Sequence, residues 1–138
     1  MSFQTVEEYL SRKDAKFTRG ELACRHCGLA RFHPGFLEHL HTLRLSFAQP
    51  MTLTSGCRCQ VHNANVGGNK RSLHIGDAPQ HAGQNGTLAV DVATPSDEYR
   101  GILFAMAWQL GWSIGWGRGF LHLDRRDFVG LAHNSFDY

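Results

Sequence analysis

The sequence has little net charge: fourteen Lys and Arg stand against twelve Asp and Glu among 138 residues, a formal +2. So small a bias gives no reason to expect a nucleic-acid or membrane partner. No apolar run approaches the roughly 18 residues that a membrane helix requires, and residues 1–13 carry Glu7 and Glu8 where a secretory leader has its basic and apolar segments. The expectation is a protein made in the cytoplasm without an export signal. Internal repeats and low-complexity tracts are also lacking. Only 19% of the residues are charged while 42% are apolar, which excludes a disordered chain and provides for one core. One domain spanning 1–138 and acting as a monomer is expected. What the chain does have is nine histidines, enough to direct attention to metal-ligand or acid–base chemistry.

Residues 6–10 form a short amphipathic start, and Thr18-Arg-Gly-Glu21 has the spacing of a capping box. Pro34 opens a clearer helix, with Phe36, Leu40, Leu43 and Phe47 on one stripe, and Pro50 ends it. Residues 51–55 alternate as a short strand running into Gly56-Cys57-Arg58-Cys59. Residues 61–87 are rich in Gly, Asn, Ser and His without periodicity and read as one long connection, usually a functional feature inside a compact domain. Residues 88–93 alternate again. Leu88, Val90 and Val92 take one face, and Asp91 lies between Ala89 and Ala93 on the other, which predicts a displayed carboxylate. Thr94-Pro-Ser-Asp97 puts Pro95 at the first position of a helix striped by Tyr99, Ile102, Leu103, Met106 and Leu110 and stopped by Gly111. Residues 112–116 and 120–124 read as strands joined by Gly117-Arg118-Gly119, with Leu121 and Leu123 inward and His122 and Asp124 on the opposite face.

Three polar residues stand where the apolar pattern has no use for them: His74, Asp91 and His122. Two imidazoles and a carboxylate on rigid elements, with a fourth position for water, make up a zinc-ligand set of the catalytic kind. A single His on a strand is more often an ordinary polar residue of surface or core, and an Asp among alanines can serve only to cap a neighbouring backbone group.

Taken in order, Ser55-Gly-x-Arg58, His62-Asn63, Val66-Gly-Gly68, Ser72-x-His74, Ala89-x-Asp91 and Phe120-x-His122-x-Asp124-x-Arg126 resemble the zinc D-Ala-D-Ala carboxypeptidase family. That family also contains phage L-Ala-D-Glu endolysins and shares a core with the hedgehog signalling domain. The resemblance implies that His74, Asp91 and His122 bind one catalytic zinc and that Arg58 acts on substrate rather than on the fold. The implied substrate is a peptidoglycan stem peptide, cut by an endopeptidase or D,D-carboxypeptidase acting on the cell wall, as a phage or prophage lysis product does. A planar guanidinium suits a peptide carboxylate or an oxyanion. Ser72 is expected to anchor the loop backbone and secondarily to touch substrate. With the element pattern, the resemblance gives an α+β fold, a small, mostly antiparallel sheet backed by helices.

Two features depart from the family pattern. Residues 77–87 stand as an insertion between two ligands and bring His81, a rival ligand on a flap-like segment. The position three before the last ligand, which carries the general base in several relatives, is Gly119. Asp124, sharing a strand face with His122, is then the candidate base, with an orienter of His122 as the alternative. The missing base leaves a second class open, a zinc-stabilised module that binds peptide or cell wall with weak catalysis or none. Cys24, Cys27, Cys57 and Cys59 admit disulfides, a second, structural zinc or reduced thiols, and either tie rigidifies Arg58. Trp108 is expected in the core, while Trp112 and Trp116 pack on a helix or wall the groove, Trp116 being the candidate substrate contact.

Overall fold

The computed structural model describes residues 5–138. Two short helices, α1 (Val6–Leu10) and α2 (Arg19–Leu22), precede a long one, α3 (Phe36–Phe47). Then come β1 (Leu53–Ser55), α4 (Gln60–Asn65), β2 (Ala89–Ala93), α5 (Asp97–Gln109), the hairpin of β3 (Ser113–Trp116) and β4 (Phe120–Asp124), a 3-10 turn at Arg126–Val129, and β5 (Ser135–Asp137). The strands make one sheet in the order β1-β2-β4-β3-β5. All neighbours are antiparallel except β3 and β5, which run parallel, so the α+β expectation holds with a mixed sheet.

The capping box forms as its spacing predicts. The Thr18 hydroxyl accepts the Glu21 N–H, and the Glu21 carboxylate accepts the Thr18 N–H while its second oxygen accepts Leu53 N–H at 2.8 Å, which ties α2 to β1. On α3, Phe36, Leu40, Leu43 and Phe47 are all buried, each contributing about 1.5–3 kcal/mol by leaving water. Ala48, in the left-handed conformation at φ 59°, ends the helix two residues before Pro50. α5 starts two residues later than expected. Ser96 lies in extended backbone just after Pro95, and its hydroxyl caps Tyr99 N–H at 3.1 Å. Trp112, not Trp108, is the buried tryptophan, edge-on to Phe36, whereas Trp108 is 38% exposed and stacks on Phe104 and His133.

Strand alternation sorts the sheet into two faces. Leu121 and Leu123 of β4 pair with Trp116 and Ile114 of β3 on the helix side; His122 and Asp124 pair with Gly115 and Ser113 on the other. This overturns the groove role expected for Trp116. Its ring packs on Phe104 of α5 at 4.7 Å, beneath the Arg100 guanidinium, on the face away from His122. The opposite face is not open to water either. The connection after β1 crosses it, bridging Arg58 to Ile75, and the rings of Phe136 in β5 and of Tyr138 just after it lie against His122. Asp91 therefore sits on a central strand covered on both faces and is 4% exposed, buried rather than displayed.

Candidate metal centre

Register brings two of the expected ligands together: Asp91 of β2 stands directly opposite His122 of β4. The third, His74, comes from the connection, where three hydrogen bonds fix its backbone. Its N–H donates to Ser72 Oγ at 3.1 Å, and its carbonyl accepts the Arg58 N–H at 2.9 Å and the Thr87 hydroxyl at 2.8 Å. Ser72 thus has the anchoring geometry expected of it. His74 Nε2 and His122 Nδ1 both lie 3.1 Å from one oxygen of Asp91, and all three residues offer ligand atoms within 4.8 Å of one another.

The far nitrogen of each ring shows what these near atoms are. His74 Nδ1 faces the Gly56 carbonyl at 2.8 Å, which can only accept, so Nδ1 carries the proton. His122 Nε2 faces the Asp124 carboxylate at 2.8 Å and carries its proton for the same reason. Both neutral rings then aim a lone pair at the same carboxylate oxygen, an arrangement of three acceptors that a cation satisfies. Protons can replace the cation only in part. Burial pushes His74 below the usual imidazole range. At His122 burial acts likewise, but the hydrogen bonds to Asp124 and Asp91 outweigh it and hold the ring above that range. Burial raises Asp91, and the charges and hydrogen bonds of the two imidazoles outweigh it, keeping the carboxyl well below its ordinary range. The donor set fits zinc.

A second layer of contacts fixes these ligands. Asp124 is fully buried, and both of its oxygens are engaged: Oδ1 accepts Arg126 N–H and Nε, each at 3.0 Å, and Oδ2 accepts Arg126 Nη2 at 2.8 Å besides the His122 bond. Asp124 therefore lies behind the imidazole, on the nitrogen remote from the other two ligands. Arg58 is buried too. Its guanidinium donates to Ser55 Oγ at 3.0 Å, Asn63 Oδ1 at 3.1 Å and the second Asp91 oxygen at 3.3 Å. The residue expected to face substrate is thus built into the fold beneath Asp91.

His122, Asp124 and Ser72 border a cleft of about 610 Å³ whose other walls include Arg71, Arg126 and Tyr138. Tyr138 stacks on the His122 ring at 4.3 Å between centroids, almost parallel. The rival ligand His81 also borders the cleft, but both its ring nitrogens are occupied by Arg71, the guanidinium at 3.3 Å and the carbonyl at 3.1 Å. Gly119 lies in the β3–β4 turn beside a different depression, with Thr94 and Arg100. All four cysteines are free. Cys24, Cys27 and Cys59 converge in a second group, but Cys57 is turned away towards the Arg31 carbonyl at 3.7 Å, so the expected four-cysteine set does not assemble.

Sequence reasoning missed Tyr138, the role of Arg126 and the contact between Arg58 and Asp91. The one available signal was the strand-end spacing His122-x-Asp124-x-Arg126, which puts the three side chains in series.

A family model described as Peptidase M15 matches residues 12–124. The chain belongs to the Peptidase M15 family. No curated protein and no solved structure shows a significant match. The family match bears out the resemblance read in the sequence. It spans Arg58, Ser72, His74, Asp91, His122 and Asp124 of this M15 peptidase-like chain and ends before Arg126 and β5.

Proposed function

We propose that this M15 chain is a zinc-dependent peptidase that hydrolyses amide bonds in peptidoglycan stem peptides, as an endopeptidase or a D,D-carboxypeptidase. The observation that carries this reading is the convergence of three acceptor atoms, two imidazole and one carboxylate, on one point, with the His122 side chain lining a cleft. Bound there, zinc supplies Lewis acidity towards a carbonyl and lowers the pKa of a water to about 7. The surrounding residues position the site. Asp124 keeps the His122 proton on Nε2 and its lone pair on Nδ1, Arg126 holds Asp124, and Arg58 orients Asp91 through the oxygen that the imidazoles do not face. Ser72 holds the His74 backbone, and the cleft-side guanidinium groups of Arg71 and Arg126 suit the carboxylates of a peptide substrate. Among the described residues no helix is long and apolar enough to cross a membrane.

A second reading has one observation in its favour. Of the cleft carboxylates, Asp124 is fully engaged and Asp137 lies exposed on β5, while Gly119 supplies none. In this reading the metal stabilises a module that binds peptide or cell wall. Incubation of purified walls with wild type and His122→Ala distinguishes the two. New free amino groups with wild type alone support the peptidase. Co-sedimentation with the walls and no amino-group release supports the module, and neither effect refutes both.

A further inference from the structure

The second convergent group lies apart from the cleft and plays no part in the proposed hydrolysis. Cys24 and Cys27 flank a tight turn that follows α2, closed by Gly28 N–H to Cys24 O at 2.9 Å and Cys24 N–H to Leu29 O at 2.6 Å. Gly28, at φ +79°, supplies the left-handed residue that such a turn needs directly after the second cysteine. The third sulfur comes from 35 residues along the chain, at Cys59, the N-cap of α4. The three sulfurs lie within 4.8 Å of one another. His26, inside the CxxC, places Nδ1 3.6 Å from Cys59 Sγ. A tetrahedron built from the usual Zn–S and Zn–N bond lengths has an S···N edge of about 3.6 Å. The Cys59 backbone N–H donates to Cys24 Sγ at 3.4 Å, which holds the third cysteine against the turn. His62 only stacks on His26, 6.4 Å between centroids, and gives its backbone N–H to Cys59 Sγ.

We infer that Cys24, Cys27, Cys59 and His26 form a second, structural zinc site that ties the turn after α2 to the residue following Arg58. Three sulfurs at ligand spacing, with the His26 imidazole beside Cys59 Sγ to serve as the fourth donor, supply the three-cysteine, one-histidine set of a structural zinc site. A disulfide would use two sulfurs and strand the third. Filling the site closes a loop of chain between residues 24 and 59 and so restrains the backbone that carries Arg58 to Asp91. This inference does not depend on the peptidase reading.

Zinc content of tag-free, reduced protein, together with the spectrum of the cobalt-substituted form, tests it. Wild type should hold two zinc ions per chain, His122→Ala one and Cys27→Ser one. Cobalt-loaded His122→Ala should show the strong thiolate-to-cobalt charge-transfer band and the visible bands of tetrahedral cobalt, and the visible bands should shift in His122→Ala/His26→Ala. A His122→Ala protein without zinc, or whose cobalt spectrum lacks the thiolate band, overturns the inference, as does a disulfide between any two of the three cysteines in protein prepared with reductant. Wild type with one zinc that Cys27→Ser loses supports this site and instead refutes the His74, Asp91 and His122 centre. Should Cys27→Ser fail to fold, the cobalt spectrum of His122→Ala decides alone.

Discussion

Replacing Asp124 by Asn separates a positioning carboxylate from a proton acceptor. The amide keeps the size of the carboxylate but turns one acceptor into a donor. All of its neighbours are donors: His122 Nε2 at 2.8 Å, two guanidinium nitrogens of Arg126 at 2.8 and 3.0 Å, and the Arg126 N–H at 3.0 Å. Each oxygen accepts two of these donors, so whichever one the amide nitrogen replaces, two contacts become donor against donor. If the amide nitrogen faces His122, the ring has to accept at Nε2 and carry its proton on Nδ1, the atom 3.1 Å from Asp91, which can then no longer ligate. In either orientation the negative charge is gone and with it the ion pair to Arg126, at a cost moderated by the 21% exposure of that side chain. The expected result is a zinc dissociation constant raised roughly 10- to 100-fold, equivalent to about 1.4–2.7 kcal/mol. Turnover at saturating zinc should stay within about tenfold of wild type. Competition against a chromophoric chelator gives the first quantity and amino-group release from purified walls the second, with circular dichroism to establish that the variant is folded. Unchanged zinc affinity together with turnover lowered by roughly 10²–10⁴ would refute the reasoning and make Asp124 the base.

Other substitutions probe the support around the centre. Arg58→Lys cannot span Ser55, Asn63 and Asp91 with one ammonium, so unfolding by urea should show a loss of about 1–3 kcal/mol; an unchanged midpoint would mean that these bonds contribute nothing. Gly56→Ala would place a Cβ 2.7 Å from the carbonyl oxygens of both Glu21 and Leu22, and because the Gly56 carbonyl fixes His74 Nδ1, both stability, by about 1–3 kcal/mol, and zinc affinity should fall. Stability lost without any change in zinc affinity would disconnect that carbonyl from the centre. Gly115→Ala would put a methyl 2.8 Å from Phe136 and 3.0 Å from Tyr138, and the ring-current shift that Tyr138 imposes on the His122 protons should diminish in the NMR spectrum; an unaltered shift would show that β5 yields without uncovering the ligand.

Where one face of an element is apolar and the other is not, periodicity was enough to find it. The stripe of α3 and the alternation of β4 appear in the structure as read, including the shared face of His122 and Asp124. The failures have physical causes. α4 is hidden because its N-cap is a cysteine and its only buried residue is Asn63, so no apolar stripe marks it. β5 is a three-residue edge strand held in parallel to β3, with a half-buried Phe136 between two exposed residues. At Asp91 the alternation itself was right, and the error lay in supposing that the small-residue face meets water. Segments far along the chain cover that face, and local spacing carries no trace of them.

The same distinction separates the ligands from what holds them. His122 and Asp124 are two residues apart on one strand, so their contact follows from strand geometry. Arg58 and Asp91 are 33 residues apart, His74 and Gly56 are 18 apart, and Cys59 and Cys24 are 35 apart; only the folded chain brings these pairs together. All three of the distant contacts return to one stretch of four residues. The Gly56 carbonyl sets the tautomer of His74, Cys57 buries its thiol against the Arg31 carbonyl, Arg58 orients Asp91, and Cys59 delivers the third sulfur to the second group. Burial raises the Cys57 thiol above its usual range, so this sulfur stays protonated and packs as an apolar group while its neighbour two residues on is turned towards ligands. A backbone shift at residues 56–59 therefore disturbs the Gly56 contact to His74 and the Arg58 contact to Asp91 together, and it is this coupling that a structural zinc at Cys59 would restrain.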